Sequence, residues 1–260
     1  MLKGRSALVT GSLDGIGWAI AEALAKKGCN VMLNGFGEEA FIAERVKSLG
    51  AHGVDGAYHG ADLSQLAQIE DMVATTASRF GSIDIVVNNA VTRHYAFIED
   101  VPVDKWDYAL AVNLSAPFHI IRLTISAMKR RNWGRYINIA SNYGLAGTTR
   151  RADYCSTKHG IVGLTKVVAL EGMPHFITCN AICPGATLTP NMRKILAQRK
   201  AATGDCDEDN VRNYLLTRQP SRRFVEASRI GGLVTFLCSD DACDITGTPI
   251  TIDGGWIANS

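Results

Sequence analysis

Ser6-Ala7-Leu8-Val9-Thr10 runs directly into Gly11-Ser12-Leu13-Asp14-Gly15-Ile16-Gly17, and Trp18 to Lys27 follows up to Gly28. The short apolar, β-branched run predicts a strand, the glycine cluster a tight turn, and the segment closed by Gly28 a helix. Strand, glycine-rich turn and helix in that order form a cradle for a dinucleotide. Glycines let backbone N–H groups approach a pyrophosphate at a helix N-terminus, where the helix dipole favours an anion. The spacing here is G-x-x-x-G-x-G rather than the commoner G-x-G-x-x-G.

The same alternation continues outward. Asn30–Leu33 predicts a second strand, Glu38–Leu49 an amphipathic helix, and Gly53–Gly60 a third strand leading to Asp62-Leu63. Leu66–Phe80 predicts a helix closed by Gly81, and Ile83–Val87 an uninterrupted apolar strand running into Asn88-Asn89-Ala90. A strand without polar alternation belongs to a parallel sheet covered on both faces. Trp106–Met128 has long helical periodicity, with Pro117 inside it predicting a kink or restart. Arg135–Ala140 and Phe176–Ile182 predict two more strands, Ser228–Cys238 a helix, and Pro249–Asp253 a last strand. Residues 190–221 are polar and weakly periodic, predicting a pair of short helices (Met192–Lys200 and Asp207–Arg218) that form a candidate lid. No linker, repeat or low-complexity tract interrupts the chain. The expectation is one α/β domain over residues 1–260, a doubly wound parallel sheet of about seven strands with its ligand crevice at the strands' carboxyl ends.

Bulk composition narrows the partners. Lys+Arg 27 against Asp+Glu 25 leaves a net charge of +2, too balanced for nucleic acid or an anionic membrane as the main partner. Seven scattered cysteines contain no C-x-x-C pair, and Cys179 and Cys183 flank an apolar run, so we expect reduced thiols, no metal and a cytoplasmic location. No uninterrupted apolar stretch of about 18 residues is present, so no membrane span is expected, and the start of the chain lacks a secretory pattern.

Cofactor type follows from the turn after the second strand. An acid there favours NAD and an arginine NADP. Asn34-Gly35-Phe36 offers neither, Asp14 would repel a 2′-phosphate, and no Arg or Lys is expected near either turn, which favours NAD. Asp62 suits an adenine amine or a helix N-cap. On a helix, Tyr154 and Lys158 stand one turn apart on one face, where an ammonium favours the phenolate. Ser141 ends a strand on the ligand side. Asn113 lies among apolar neighbours and needs a buried partner.

Taken together, Thr10-Gly11 with Gly15-Ile16-Gly17, Asp62-Leu63, Asn88-Asn89-Ala90, Asn113, Ser141, Tyr154 with Lys158, and Pro184-Gly185 with Thr189 resemble the classical short-chain dehydrogenase/reductase family over nearly the whole chain. The resemblance implies that Tyr154 is the acid/base and that Lys158 binds the nicotinamide ribose and lowers the tyrosine pKa. It also implies that Ser141 hydrogen-bonds the reacting oxygen and Asn113 holds a relay water. The cofactor site it implies comprises Gly11, Asp14, Gly15, Ile16, Gly17, Phe36, Asp62, Leu63, Asn89, Ala90, Lys158, Pro184, Gly185, Thr187 and Thr189. Val91 stands where the family's Asn-Asn-Ala-Gly motif has glycine. A homotetramer is implied as well.

Within the family the chain looks most like bacterial D-3-hydroxybutyrate dehydrogenases, through Leu33–Gly37, Gly60–Ser64, Ile98–Asp100, Lys105–Asp107, Asn180–Pro184 and Gln219–Ser221. Those enzymes use NAD and grip a carboxylate with glutamine, histidine, lysine and tryptophan. At the matching positions stand Arg93, Tyr143, Arg151 and Ala186, with His94 beside the first kept. Two arginines favour a bidentate grip on a multi-oxygen anion, and Ala186 in place of tryptophan makes room. The expected substrate is a small anionic hydroxy or keto compound: a longer hydroxy acid, a dicarboxylate, or a sulfonated or phosphorylated polyol or sugar. The alternatives are D-3-hydroxybutyrate itself, a 3-oxoacyl or ketone reductase, and a non-catalytic dinucleotide sensor.

Overall fold

The computed structural model describes residues 2–204, 206–216 and 218–259. Seven strands pair edge to edge in it: β1 (Ser6–Val9), β2 (Asn30–Asn34), β3 (Gly56–His59), β4 (Ile85–Asn88), β5 (Gly134–Ile139), β6 (Ile177–Pro184) and β7 (Pro249–Ile252). All pairings are parallel and the order is β3-β2-β1-β4-β5-β6-β7. After β3 the chain crosses back to pair β4 with β1, so the strand order reverses there. Such a reversal opens a crevice outside the carboxyl ends of the strands.

Alternate residues of each central strand feed two apolar cores. Ala7, Val9, Ile85, Val87, Ile137 and Ile139 face one, and Leu8, Val86 and Tyr136 the other. The first core is closed by α1 (Gly15–Lys26), α2 (Glu39–Gly50) and α9 (Ala227–Leu237), through Ile20, Leu24, Leu49, Ile230 and Val234. The second is closed by α3 (Leu66–Phe80), α5 (Ala116–Arg131) and α6 (Ala152–Gly172), through Ile69, Met72, Ile120, Met128 and Val168. Each such side chain contributes ~1.5–3 kcal/mol on full burial. Close packing fixes the helices on the sheet. A Cβ on Gly231 of α9 would lie 2.7 Å from the Ala19 carbonyl oxygen of α1.

The long run before β5 differs from expectation. α4 (Val103–Leu110) passes through a π-helical turn, 111–115, into α5 without a break. Pro117 sits in the first turn of α5, where its missing N–H costs least, and the π turn absorbs the mismatch in place of a sharp kink. The whole run Val103–Arg131 is 29 residues long and apolar enough to cross a bilayer by length and composition. The expectation that no such stretch exists is corrected to that extent. Its Ala116, Ile120, Ile121 and Met128 belong to the second core.

The remaining helices, α7 (Pro190–Thr203) and α8 (Asp207–Leu216), form the expected pair over residues 190–221. Thr189 caps α7, its Oγ1 accepting from Met192 N at 3.2 Å. Thr217, within the span expected for the second of these helices, lies outside the described residues, as do Met1, Asp205 and Ser260.

Candidate active site

The glycine-rich turn is built around contacts only glycine permits. Gly11 and Gly15 have φ of 58° and 55°, in the left-handed region that favours glycine. A Cβ on Gly17 would collide with the Gly11 carbonyl oxygen and the Asn89 side-chain amide. That amide is the staple across the switch point. Asn89 Nδ2 donates to Thr10 O at 3.0 Å and Gly11 O at 2.7 Å, and Thr10 Oγ1 accepts from Asn89 N and Ala90 N at 3.0 and 3.1 Å. The turn is thereby held open towards a cavity of about 500 Å³. Gly11, Asp14, Gly15, Ile16, Gly17, Phe36, Asp62, Leu63, Asn89, Ala90 and Thr189 all line it, so the structure brings these expected residues together around one cavity.

Asn34 lines the cavity, and its amide ties β2 to the end of β3 by donating to His59 O and Ala61 O at 3.1 and 3.0 Å. Two details around this cavity differ from the sequence reading. Asp62 is not a helix N-cap. Its Oδ1 accepts from Ser64 N at 2.9 Å, and the cap of α3 is Gln65. An arginine does sit beside the turn: Arg45 Nε donates to Leu13 O at 3.0 Å, and its guanidinium covers the rings of Trp18 and Phe41 at 4.3 and 4.6 Å. Arg45 does not line the cavity; it braces the turn from behind.

A second cavity of about 200 Å³ adjoins the first, sharing Ile16, Asn89, Val91, Arg93 and Thr189 with it. Ser141, Tyr154 and Lys158 meet here. Ser141 lies two residues past β5 and caps the turn Asn142–Gly144, its Oγ accepting from Tyr143 N at 3.2 Å. That turn lies directly on α6: a Cβ on Gly144 would be 2.6 Å from Lys158 O. The contact fixes Ser141 relative to the helix that carries Tyr154 and Lys158. Lys158 is 3% exposed, and its Nζ donates to Ile139 O at 2.6 Å and stands 5.7 Å from the Tyr154 ring centroid. Burial, helped by the nearby Arg93 charge and opposed by Cys183, pushes the Lys158 ammonium down to about 7.

Asn113 lines neither cavity. It occupies the π turn, where Oδ1 accepts from Thr92 N at 2.8 Å and Nδ2 donates to Thr92 O at 2.9 Å and Thr157 Oγ1 at 3.2 Å. Both amide N–H groups and one acceptor position of Oδ1 are thus engaged, and the buried partners expected for it are Thr92 and Thr157. Its main-chain carbonyl faces a different situation, because Pro117 four residues on offers no N–H to it.

Of the residues expected at the substrate, Arg93, Tyr143, Arg151 and Ala186 line the second cavity, as do Lys158, Pro184, Gly185 and Thr187 from the cofactor set. His94 does not. Its backbone N is held by Asp153 Oδ2 at 2.8 Å, and Tyr95 takes its place. The Tyr95 hydroxyl accepts from Arg151, whose guanidinium lies over the Tyr95 ring at 3.8 Å. Sequence reasoning also missed Met192, Ile195, Tyr214, Arg218 and Trp256. Trp256 meets Tyr143 edge-on at 5.0 Å, and with Met192 and Ile195 it lines the same cavity as Ala186. Tyr214 lies near the end of α8 and Arg218 just past it, and no local pattern in the sequence marks either as facing the cavity.

The match to known proteins extends over almost the entire chain. A family profile described as enoyl-(acyl carrier protein) reductase covers residues 11–257. The D-beta-hydroxybutyrate dehydrogenase of Cupriavidus necator is 45% identical over 99% of this chain and 100% of its own. This protein belongs to the short-chain dehydrogenase/reductase family. The Rhizobium meliloti D-beta-hydroxybutyrate dehydrogenase is 44% identical over 98% of this chain and 99% of its own. Among solved structures, the L-sorbose reductase of Gluconobacter frateurii, complexed with NADPH and L-sorbose, superposes with a TM-score of 0.93 at 28% identity, covering 98% of this chain and 97% of that one.

As a short-chain dehydrogenase/reductase the chain is an oxidoreductase that binds a nicotinamide dinucleotide and acts on hydroxyl or carbonyl groups of small molecules. Its departure at Val91 is accommodated without strain. Val91 is absent from the left-handed φ region and lines both cavities, at the boundary between them.

Proposed function

We propose that this protein is an NAD-dependent dehydrogenase interconverting a hydroxyl and a carbonyl group on a small anionic substrate, with Tyr154 as acid/base. The reading is carried by the convergence of Ser141, Tyr154 and Lys158 on one cavity that opens onto the glycine-lined crevice. The nicotinamide dinucleotide supplies the hydride chemistry when bound, and the protein's own residues handle the proton. Ser141 Oγ accepts from Tyr143 N and keeps its O–H free to donate to the reacting oxygen. Tyr154 Oη takes the proton from that oxygen in oxidation and returns it in reduction. Lys158 places positive charge beside this exchange and faces the cofactor's ribose. The relay beyond Lys158 uses a water held by Asn113, whose main-chain carbonyl receives no N–H from Pro117.

NAD is favoured by charge. The only charged residues lining the larger cavity, among the described residues, are Asp14, Asp62 and Arg93, and Arg93 lies at the shared end. A 2′-phosphate at the adenosine end would meet carboxylates and no cation. Assembly as a homotetramer belongs to the same reading, supported by exposed Val103, Phe118, Val167 and Leu170 on α4–α6. So does a cytoplasmic location, supported by seven cysteines that are all free.

The 45% identity to a D-beta-hydroxybutyrate dehydrogenase favours one second reading, that D-3-hydroxybutyrate itself is the substrate. A screen of hydroxy acids, phosphate esters, sulfonates and neutral alcohols with NAD and NADP separates the two. We expect turnover of anionic substrates with NAD, reduced by ~10²–10⁴-fold in Tyr154→Phe. Turnover confined to neutral alcohols overturns the anionic assignment, a strong NADP preference overturns the cofactor, and full activity in Tyr154→Phe overturns the acid/base.

A further inference from the structure

We propose that the substrate carries two negative charges and that Arg218, from the helical pair, supplies the second half of the grip. The inference rests on the dehydrogenase reading of the same cavity and narrows its substrate class. Three permanent cations line that cavity (Arg93, Arg151 and Arg218), with Lys158 beside them, and no carboxylate does, among the described residues. None of the three arginines is found in an ion pair with a described residue. Two buried carboxylates, on α6 and just after β7, are engaged by backbone N–H groups. Asp153 accepts from His94 N, and Asp253 from Gly255 N and Ile257 N at 3.0 and 2.9 Å.

Arg93, Arg151 and Lys158 each come within 6 Å of the Tyr154 ring centroid, at 5.7, 5.3 and 5.7 Å. Positive charge gathered around one ring in a partly buried cavity is unfavourable; Lys158 answers it, and its burial, by a lowered pKa, whereas the arginines stay charged and are compensated by bound negative charge. Arg151 is built to receive it. One side of its fork is fixed on the Tyr95 hydroxyl, and its buried Nη1 has no hydrogen-bond partner.

Arg218 approaches the same space from another element. Its Nη1 donates to Tyr214 O at 2.9 Å and its guanidinium lies over the Tyr214 ring at 4.5 Å, which fixes the side chain at the cavity wall. It also lines an outer hollow beside Arg222, so positive charge extends from the surface inward. Arg151 and Arg218 both act on the Tyr143 hydroxyl, drawing down a phenol that burial raises. A monocarboxylate seated on Arg151 leaves Arg218 uncompensated. A dianion, either a hydroxy-dicarboxylate or a phosphate monoester, satisfies both, and a cavity of about 200 Å³ admits only a small one.

The test is calorimetric titration of the NADH-loaded enzyme at pH 8 and low ionic strength with malonate, inorganic phosphate and acetate. At least one dianion should bind about tenfold or more tighter than acetate. Arg218→Gln should weaken that dianion by about tenfold while moving acetate less than about twofold, and Arg218→Lys should keep most of the preference. Malonate ahead of phosphate assigns a dicarboxylate; the reverse assigns a phosphate ester. Acetate binding as tightly as both dianions overturns the inference. So does Arg218→Gln weakening all three probes alike, or none. A hydroxy monocarboxylate turned over with NAD in a Tyr154-dependent way, with no dianion preference, leaves the dehydrogenase reading standing and sinks this one. Dianion preference without any Tyr154-dependent turnover does the opposite.

Discussion

The two adjoining cavities share five residues yet carry opposite charge. The cofactor crevice is edged by Asp14 and Asp62, whereas the smaller cavity is lined by three arginines and a lysine with no acid. Their architectures differ as well. The crevice is backbone chemistry: glycines at positive φ and an Asn89 staple between the ends of β1 and β4. The smaller cavity is side-chain chemistry, assembled from the loop after β4, the start of α6, the end of α8 and the segment after β7. A dinucleotide needs close approach to main-chain N–H groups, which any side chain would obstruct. A small substrate needs its own charge recognised, and that is set by side chains alone.

The largest test of this division falls on its boundary. Lys158→Met should lower kcat/KM by on the order of 10³, measured by NADH formation, while leaving the fold intact, because it removes a buried charge rather than a packing contact. The next falls inside the cationic cavity. Arg151→Gln removes charge-assisted hydrogen bonds worth about 1.5–3 kcal/mol each. It should therefore raise KM for the anionic substrate about 10–100-fold, with kcat changed far less. If kcat falls and KM stays, Arg151 acts on Tyr154, 5.3 Å from its guanidinium carbon, rather than on the substrate.

The difference between the cavities also explains what was legible in the sequence. Backbone requirements leave marks at fixed spacing: Gly11, Gly15 and Gly17 appear as a cluster, and each expected strand and helix is found within a few residues of its place. Tyr154 and Lys158 were legible because one helix carries both. Arg218, Tyr214, Trp256 and Tyr95 were not, because their proximity to Tyr154 is a product of the tertiary fold and no local period records it. His94 shows the converse error. Adjacent residues on an extended segment point in opposite directions, so the neighbour of Arg93 turns away while Tyr95, two along, faces the cavity. Pro117 was legible as a disturbance, but the π turn that absorbs it depends on Asn113 finding Thr92 and Thr157. Arg45 reaches the glycine turn from α2, more than thirty residues away in sequence.

A smaller effect is expected from altering charge at the adenosine end. Phe36 is 71% exposed, so Phe36→Arg costs the core nothing. Combined with Asp14→Asn, it should shift the ratio of kcat/KM for NADP over NAD upward by about tenfold. An unchanged ratio would show that Asp62 or the Arg45-braced turn, rather than Asp14 and Phe36, sets the preference.

The smallest effect is on stability, and its sign follows from Lys158. Its folded-state pKa of about 7 lies below its ordinary value of 10.5. Between those values the unfolded chain holds a proton that the native protein lacks, so stability rises with pH. The cysteines act in the other direction. Burial pushes the Cys183 and Cys29 thiols from 9.0 up to about 11 and about 12, and raises Cys179 and Cys238 as well. Above the ordinary thiol pKa the unfolded chain loses protons that the native state keeps, so stability falls. The unfolding free energy of the cofactor-free protein, measured by urea titration, should therefore climb from pH 7 to about 8.5, by on the order of 1–2 kcal/mol, and drop steeply beyond 9. Lys158→Met should abolish the climb and keep the drop. A wild-type unfolding free energy that is flat from pH 7 to 8.5 would mean that Lys158 keeps its proton in the folded protein, so that burial does not push its ammonium down and the smaller cavity holds a fourth standing cation.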